Sequence, residues 1–138
     1  MLINYSKNAI IKKGAKLIMY DIIIYEDKNG KSEIQEYIQQ LSKKNDKDNK
    51  IKYSKIIAYV KMLQQNGLNI GEPYIKHLDK EIWELRPLRD RILFASWCNN
   101  KFVLLSIFMK QTQKTPQREI EKAKRLLEDY KKRSDKDE

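Results

Sequence analysis

The sequence predicts an α+β domain in which helices pack on one antiparallel sheet, in the order β-α-α-β-β-β-α. Three observations predict it. Apolar runs rich in β-branched and aromatic residues, 82–85, 92–97 and 102–109, lie close together with only short breaks between them, which is the pattern of a meander. Two stretches before them carry apolar residues at helical spacing. Thr115-Pro116 then opens a third such stretch after the last run.

Residues 1–16 have little apolar pattern and carry Lys7, Lys12, Lys13 and Lys16 without a carboxylate, so they are expected to be a mobile extension, with Met19 as an alternative start of translation. Residues 17–25 read as the first strand. Ile22, Ile23 and Ile24 in succession imply burial on both faces and a place inside the sheet. Asp27-Lys28-Asn29-Gly30 is a turn. Ser32 and Gln35 have the spacing of a capping box, and Ile34, Tyr37, Ile38 and Leu41 form the stripe of a first helix.

The charged stretch 43–50 connects it to a second helix with Tyr53, Ile56, Ile57, Val60 and Leu63 on one face, ended by Asn66-Gly67. Residues 68–73 read as a loop, and 74–78 as a short strand or an extended lead-in. In the meander, 87–90 is a turn containing Pro87, and Asn99-Asn100 is a hairpin turn of residues that tolerate positive φ. The last helix has Thr115 as N-cap, Pro116 as its first residue and Ile120, Ala123, Leu127 and Tyr130 as its stripe. Lys131, Lys132 and Arg133 suit the negative end of its dipole. A single domain is thus expected over 17–133, with 134–138 a disordered tail.

The chain of 138 residues is 41% hydrophobic, enough for one core, and 35% charged. Its net charge is +10 and its pI about 9.6. Residues 74–133 hold 15 Lys/Arg against 8 Asp/Glu, so most of the excess lies with the meander and the last helix. Such an excess favours polyanions; the bland reading is a lysine-rich, solvated surface. Cys98 and His77 are the only residues of their kinds, which excludes an intrachain disulfide and any zinc site of cysteines and histidines. The early apolar run is interrupted by Asp21 and far shorter than the ~20 residues of a membrane span, and the N-terminus lacks the form of a signal peptide. No membrane, metal or cofactor is expected, and the single cysteine fits the cytoplasm.

Arg86, Arg89 and Arg91 cluster at the strand ends around one turn, and the basic, amide-rich segment 110–114 follows the last strand. A sheet edge of this kind is suited to phosphate. Glu84-Leu85-Arg86, Arg91 on the next strand, and the run 110–116 before an Ile-Glu-Lys-Ala helix resemble the RelE/ParE superfamily of toxins of type II toxin–antitoxin systems. Within that superfamily they are similar to the HigB-like branch, which includes phage-derived members. The resemblance covers about 19–133 and implies a RelE-like fold. It implies a metal-independent endoribonuclease that cuts messenger RNA on the ribosome and touches 16S or 23S rRNA. It also implies a cognate antitoxin, commonly a helix-turn-helix protein of the HigA kind. The ParE branch instead acts on DNA gyrase. Two other readings therefore stand beside the nuclease: a gyrase-inhibiting toxin without chemistry of its own, and a non-toxic basic RNA-binding module.

Metal-free RNA cleavage needs a base for the 2′-hydroxyl, an acid for the leaving oxygen, and cations for the charge that develops on phosphorus. Arg86 and Arg91 suit the last task, since a planar guanidinium grips two phosphate oxygens. The competing reading pairs them with Glu84 and Asp90. Lys110 and Lys114 are candidates for the scissile phosphate or for rRNA, and Gln111 and Gln113 for bases or 2′-hydroxyls. His77 has the only side chain with an ordinary pKa near neutrality, which makes it a candidate acid or base, against a structural role. Lys76 and Lys80 are the next candidates for proton transfer and for RNA contact. Arg89 and Arg118 complete the expected RNA- or ribosome-binding set.

Overall fold

The structure, a computed structural model, describes residues 19–98 and 100–137, with side chains up to 134. The expected extension 1–16, the start of the first strand, Asn99 and Glu138 lie outside the described residues. The elements are β1 (Asp21–Ile24), α1 (Glu33–Lys43), α2 (Lys47–Asn66), β2 (Ile75–Asp79), β3 (Ile82–Leu85), β4 (Asp90–Ser96), β5 (Lys101–Met109) and α3 (Gln117–Asp137). A 3-10 turn, Gly67–Ile70, follows α2. Among the described residues the fold is thus α+β with three helices, as expected, and five strands in the order β1-β5-β4-β3-β2.

Three expectations need correction. The sheet is mixed, not antiparallel: β2 to β5 form the meander, but β1 pairs parallel with β5, Ile22 opposite Phe102 and Ile24 opposite Leu104. The order gains a strand, β-α-α-β-β-β-β-α, because the stretch that reads equally as a strand or a lead-in pairs with β3. And among the described residues β1 is an edge strand, not an inner one. Its isoleucines are covered by helices rather than by a second neighbour: Ile22 and Ile24 join the core under α1 and α2, and Ile23 packs toward α3.

Two apolar layers result from strand alternation. Leu85, Ile92, Phe94 and Leu104 meet Ile34, Ile38, Ile56 and Val60 of α1 and α2. Ile82, Leu93, Ala95 and Val103 meet Ala123 and Leu127 of α3. A bulge in β5 interrupts the ladder, so that Leu93 faces Ser106 while Phe94 faces Leu104. It leaves Ile107 on the α1–α2 side and Phe108 on the α3 side.

Local signals hold where no distant group competes. The Ser32 hydroxyl accepts from Gln35 N, and Asp46 caps α2 by accepting from Asn49 N. Asn100 and Cys98 take positive φ at the β4–β5 turn. Helix α3 starts one residue late, because the Pro116 carbonyl accepts from Glu119 N and Ile120 N. The Thr115 hydroxyl, expected as its cap, is drawn to Glu84 instead. The helix also continues past Arg133, to Asp137.

Much of the positive charge of α3 fastens it down. Lys122 bonds Glu33 of α1 at 2.8 Å, Lys124 bonds Asp79 at 2.5 Å, and Lys131 bonds Glu81 at 2.8 Å. The bland reading therefore accounts for these lysines.

Gly67 sits at φ 63° and ψ −151°, a region open almost only to glycine, and a Cβ there would lie 2.7 Å from the Tyr20 ring. Gly67→Ala is expected to lower stability by about 1–3 kcal/mol in a denaturant titration. Unchanged stability would show that the α2–β2 connection adapts freely.

Candidate functional site

The turn between β3 and β4 brings three charged side chains together on the α3 side of the sheet. Glu84 of β3 is 1% exposed and stands in register with Leu93 of that layer. Arg91 of β4, 6% exposed, stands in register with Phe108 of the same layer. Arg86 follows β3 directly, and its backbone N–H donates to the Tyr74 carbonyl at 2.9 Å. Glu84 Oε1 lies 3.4 Å from Arg86 Nε and 3.9 Å from Arg91 Nε. Its other oxygen accepts the Thr115 hydroxyl at 2.5 Å.

Arg91 is held from behind. Its Nη1 donates to the carbonyls of Leu88 at 2.8 Å and Asp90 at 2.9 Å. Leu88 has φ 56°, and the Asp90 N–H closes the turn on the Pro87 carbonyl at 3.1 Å. Burial, the leading cause, lowers the Arg91 pKa; Glu84 acts to raise it and Arg86 to lower it. The group nevertheless remains a cation at any physiological pH. Arg86 Nε is buried without a hydrogen-bond partner among the described residues. Two guanidinium groups thus share one carboxylate, leaving a net positive charge.

The segment 110–116 arches over this cluster. Glu84, Arg86, Arg91, Phe108, Lys110 and Thr115 line a narrow depression together with the rest of that segment. Arg91, Arg89, Lys110, Gln111 and Gln113 also line a second, wider hollow beside the turn. Strand ends and turn are stitched together: Lys110 N donates to the Arg89 carbonyl at 2.7 Å, and Arg89 Nη2 to the Lys110 carbonyl at 3.2 Å. The Thr112 hydroxyl donates to the Lys114 carbonyl at 2.7 Å, which shapes the arch.

The structure therefore gathers Arg86, Arg91, Arg89, Lys110, Gln111, Gln113 and Lys114 of the expected set. Lys76 is exposed and in register with Glu84, so it lies on the same side of the sheet, but it lines neither hollow. His77 lies on the other side. It is in register with Trp83 and packs against that ring, tilted 47° with centroids 4.8 Å apart, and Trp83 packs on the α1–α2 side of the sheet. Its Nε2 lies 2.7 Å from the Lys80 carbonyl, so both His77 and Lys80 belong to the β2–β3 turn. Arg118 is exposed on the first turn of α3, near Glu119 at 3.9 Å.

The pairing of Arg91 with Asp90 also needs correction. Neighbouring strand residues face opposite ways, so the Asp90 carboxylate points to the α1–α2 layer, where it meets Tyr37 and Lys52. The competing reading is right about Glu84, which pairs with both arginines; Glu84 as a buried part of the site itself, and Thr115 beside it, were not expected. The signal available was a carboxylate at an inward position of a strand, two residues before an arginine.

No group of three or more His, Cys, Asp or Glu side chains among the described residues could hold a metal ion. No helix among them is long and apolar enough to cross a membrane.

Removing one partner of a buried ion pair leaves the other charge uncompensated. Glu84→Ala is expected to cost about 3–5 kcal/mol, read as a fall in the denaturation midpoint. A loss below about 1 kcal/mol would show that water already screens the two arginines.

No curated protein matches the chain. The family model for phage-derived Gp49-like proteins matches residues 36–128, from within α1 to within α3, including β2 to β5 and the whole arginine site. The chain belongs to the phage-derived Gp49-like family.

Proposed function

We propose that this chain is the toxin of a type II toxin–antitoxin system, of the HigB-like kind, and that it cleaves messenger RNA on the ribosome. The Gp49-like family is a RelE/toxin-like family, which supports the toxin half of the reading. The observation that carries the nuclease half is the convergence of Arg86 and Arg91 on one side of buried Glu84, beneath a basic, amide-rich arch.

Such a pair meets a phosphodiester at two points. Attack by the 2′-hydroxyl adds charge to the phosphoryl oxygens, and fixed guanidinium donors stabilise that charge most in the transition state. Arg91 is already bound by two carbonyls and keeps its aim while the reaction proceeds. Glu84, shared by both arginines and Thr115, braces the donors. On the same side of the sheet, Lys110 and Lys76 are the amines available for proton transfer. His77 packs against Trp83 on the opposite side and serves the β2–β3 turn. Gln111, Gln113, Lys114, Arg89 and Arg118 contribute an outer surface for messenger and ribosomal RNA. The partner that silences the toxin is a cognate antitoxin, encoded beside it.

Induction of the protein alone is expected to arrest growth and translation, with messages cut inside reading frames. Arg91→Ala is expected to slow cleavage by roughly 10²–10³, the loss typical of one transition-state donor, while His77→Ala stays near the wild-type rate. Intact messages in arrested cells, with inhibited DNA supercoiling, would transfer the protein to the gyrase-directed reading.

A further inference from the structure

Asp90 and Arg91 open β4 and face opposite layers of the sheet. The Asp90 carboxylate is 1% exposed. Its Oδ1 accepts the Tyr37 hydroxyl at 2.7 Å and lies 3.7 Å from Lys52 Nζ. Its Oδ2 finds no hydrogen-bond partner among the described residues. Lys52 in turn lies over the Tyr37 ring, 5.3 Å from its centre.

Burial of a carboxylate with one unpaired oxygen is costly, so Tyr37 and Lys52 are what hold Asp90 in this layer. Burial, then the hydrogen bond and charge of Asp90, push the Tyr37 phenol well above its ordinary range, so it stays a donor. The backbone of the same aspartate faces the site: the Asp90 carbonyl accepts from Arg91 Nη1 at 2.9 Å. One residue thus joins a phenol of α1 to the guanidinium on the far side of the sheet.

We propose that Tyr37 is a positioning residue of the arginine site: by holding the Asp90 side chain, its hydroxyl fixes the carbonyl that aims Arg91. This rests on the phosphate-binding reading of that site. Tyr37 touches neither Arg91 nor the depression, so its effect on the chemistry passes entirely through Arg91. The α1–α2 hairpin is thereby part of the site's scaffold.

The test is a double-mutant cycle on RNA cleavage with Tyr37→Phe and Arg91→Ala. Tyr37→Phe removes one oxygen and keeps the ring. It is expected to lower kcat by roughly ten- to a hundredfold, the scale of a small misplacement, with KM little changed. In the Arg91→Ala background the same substitution is expected to change the rate less than twofold. Equal losses in both backgrounds, or a kcat within twofold of wild type, would overturn the proposal.

The Arg91 Nε–H resonance supplies a readout that needs no activity. It is expected to shift in Tyr37→Phe while that of Arg86 stays in place, and an unmoved Arg91 signal would overturn the proposal even if the wild type proves not to cut RNA. Absence of wild-type cleavage alone counts against the nuclease reading. If Tyr37→Phe does not fold, Asp90→Ala, which removes the acceptor of the Tyr37 hydroxyl and keeps the backbone carbonyl, is read in the same way.

Discussion

A single buried carboxylate, Glu84, is the constraint on which the site depends. At 1% exposure it must be compensated, and Arg86, Arg91 and Thr115 supply the compensation from three different parts of the chain. Two like charges would otherwise repel each other across the β3–β4 turn. With Glu84 between them they can sit side by side. Thr115 extends the same node to the end of the arch, so the loop that covers the site is tied to its floor. One interaction therefore sets the spacing of the cations and the position of the segment above them.

The sheet makes this possible by having a use for both faces. Alternation along β4 sends Arg91 to the α3 side and Asp90 to the α1–α2 side, one residue apart. The helical hairpin, remote from the depression, thereby grips the same strand end that carries the guanidinium. The paired lysines of α3 show a different use of positive charge. Lys122, Lys124 and Lys131 meet carboxylates of α1 and the β2–β3 hairpin and dock the helix. Around the turn and the arch, Arg86, Arg89, Arg91, Lys110 and Lys114 stand against Glu84 and Asp90, which leaves positive charge there for a polyanion.

What is legible in the sequence follows from how local each signal is. Ser32 and Gln35 are three residues apart, and their bond forms as the spacing implies. The stripes of α1 and α2, the 87–90 turn and the clustering of Arg86, Arg89 and Arg91 are equally local. The parallel pairing of β1 with β5 is not, because nothing in Ile22-Ile23-Ile24 names a partner some eighty residues away. The same run fits an inner strand and an edge strand covered by helices, and the second is what forms. Thr115 has the residue type and position of a cap, but Glu84 outcompetes the helix start for its hydroxyl. His77 stands out in the sequence as its single imidazole, which carries no information about the side of the sheet it faces; the register opposite Trp83 decides that.

We propose that Arg86 and Arg91 act together on phosphate. This is tested most directly by binding a short single-stranded RNA with 2′-deoxy substitution, which cannot be cut, across a range of salt concentrations. Removing one cation that neutralises a phosphate of a single strand reduces the slope of log K against log[salt] by about 0.7. Arg86→Ala and Arg91→Ala are each expected to weaken binding and to reduce the slope by about that amount. Folded variants whose affinity and slope match the wild type would show that both arginines serve only to neutralise Glu84, and the account would fail.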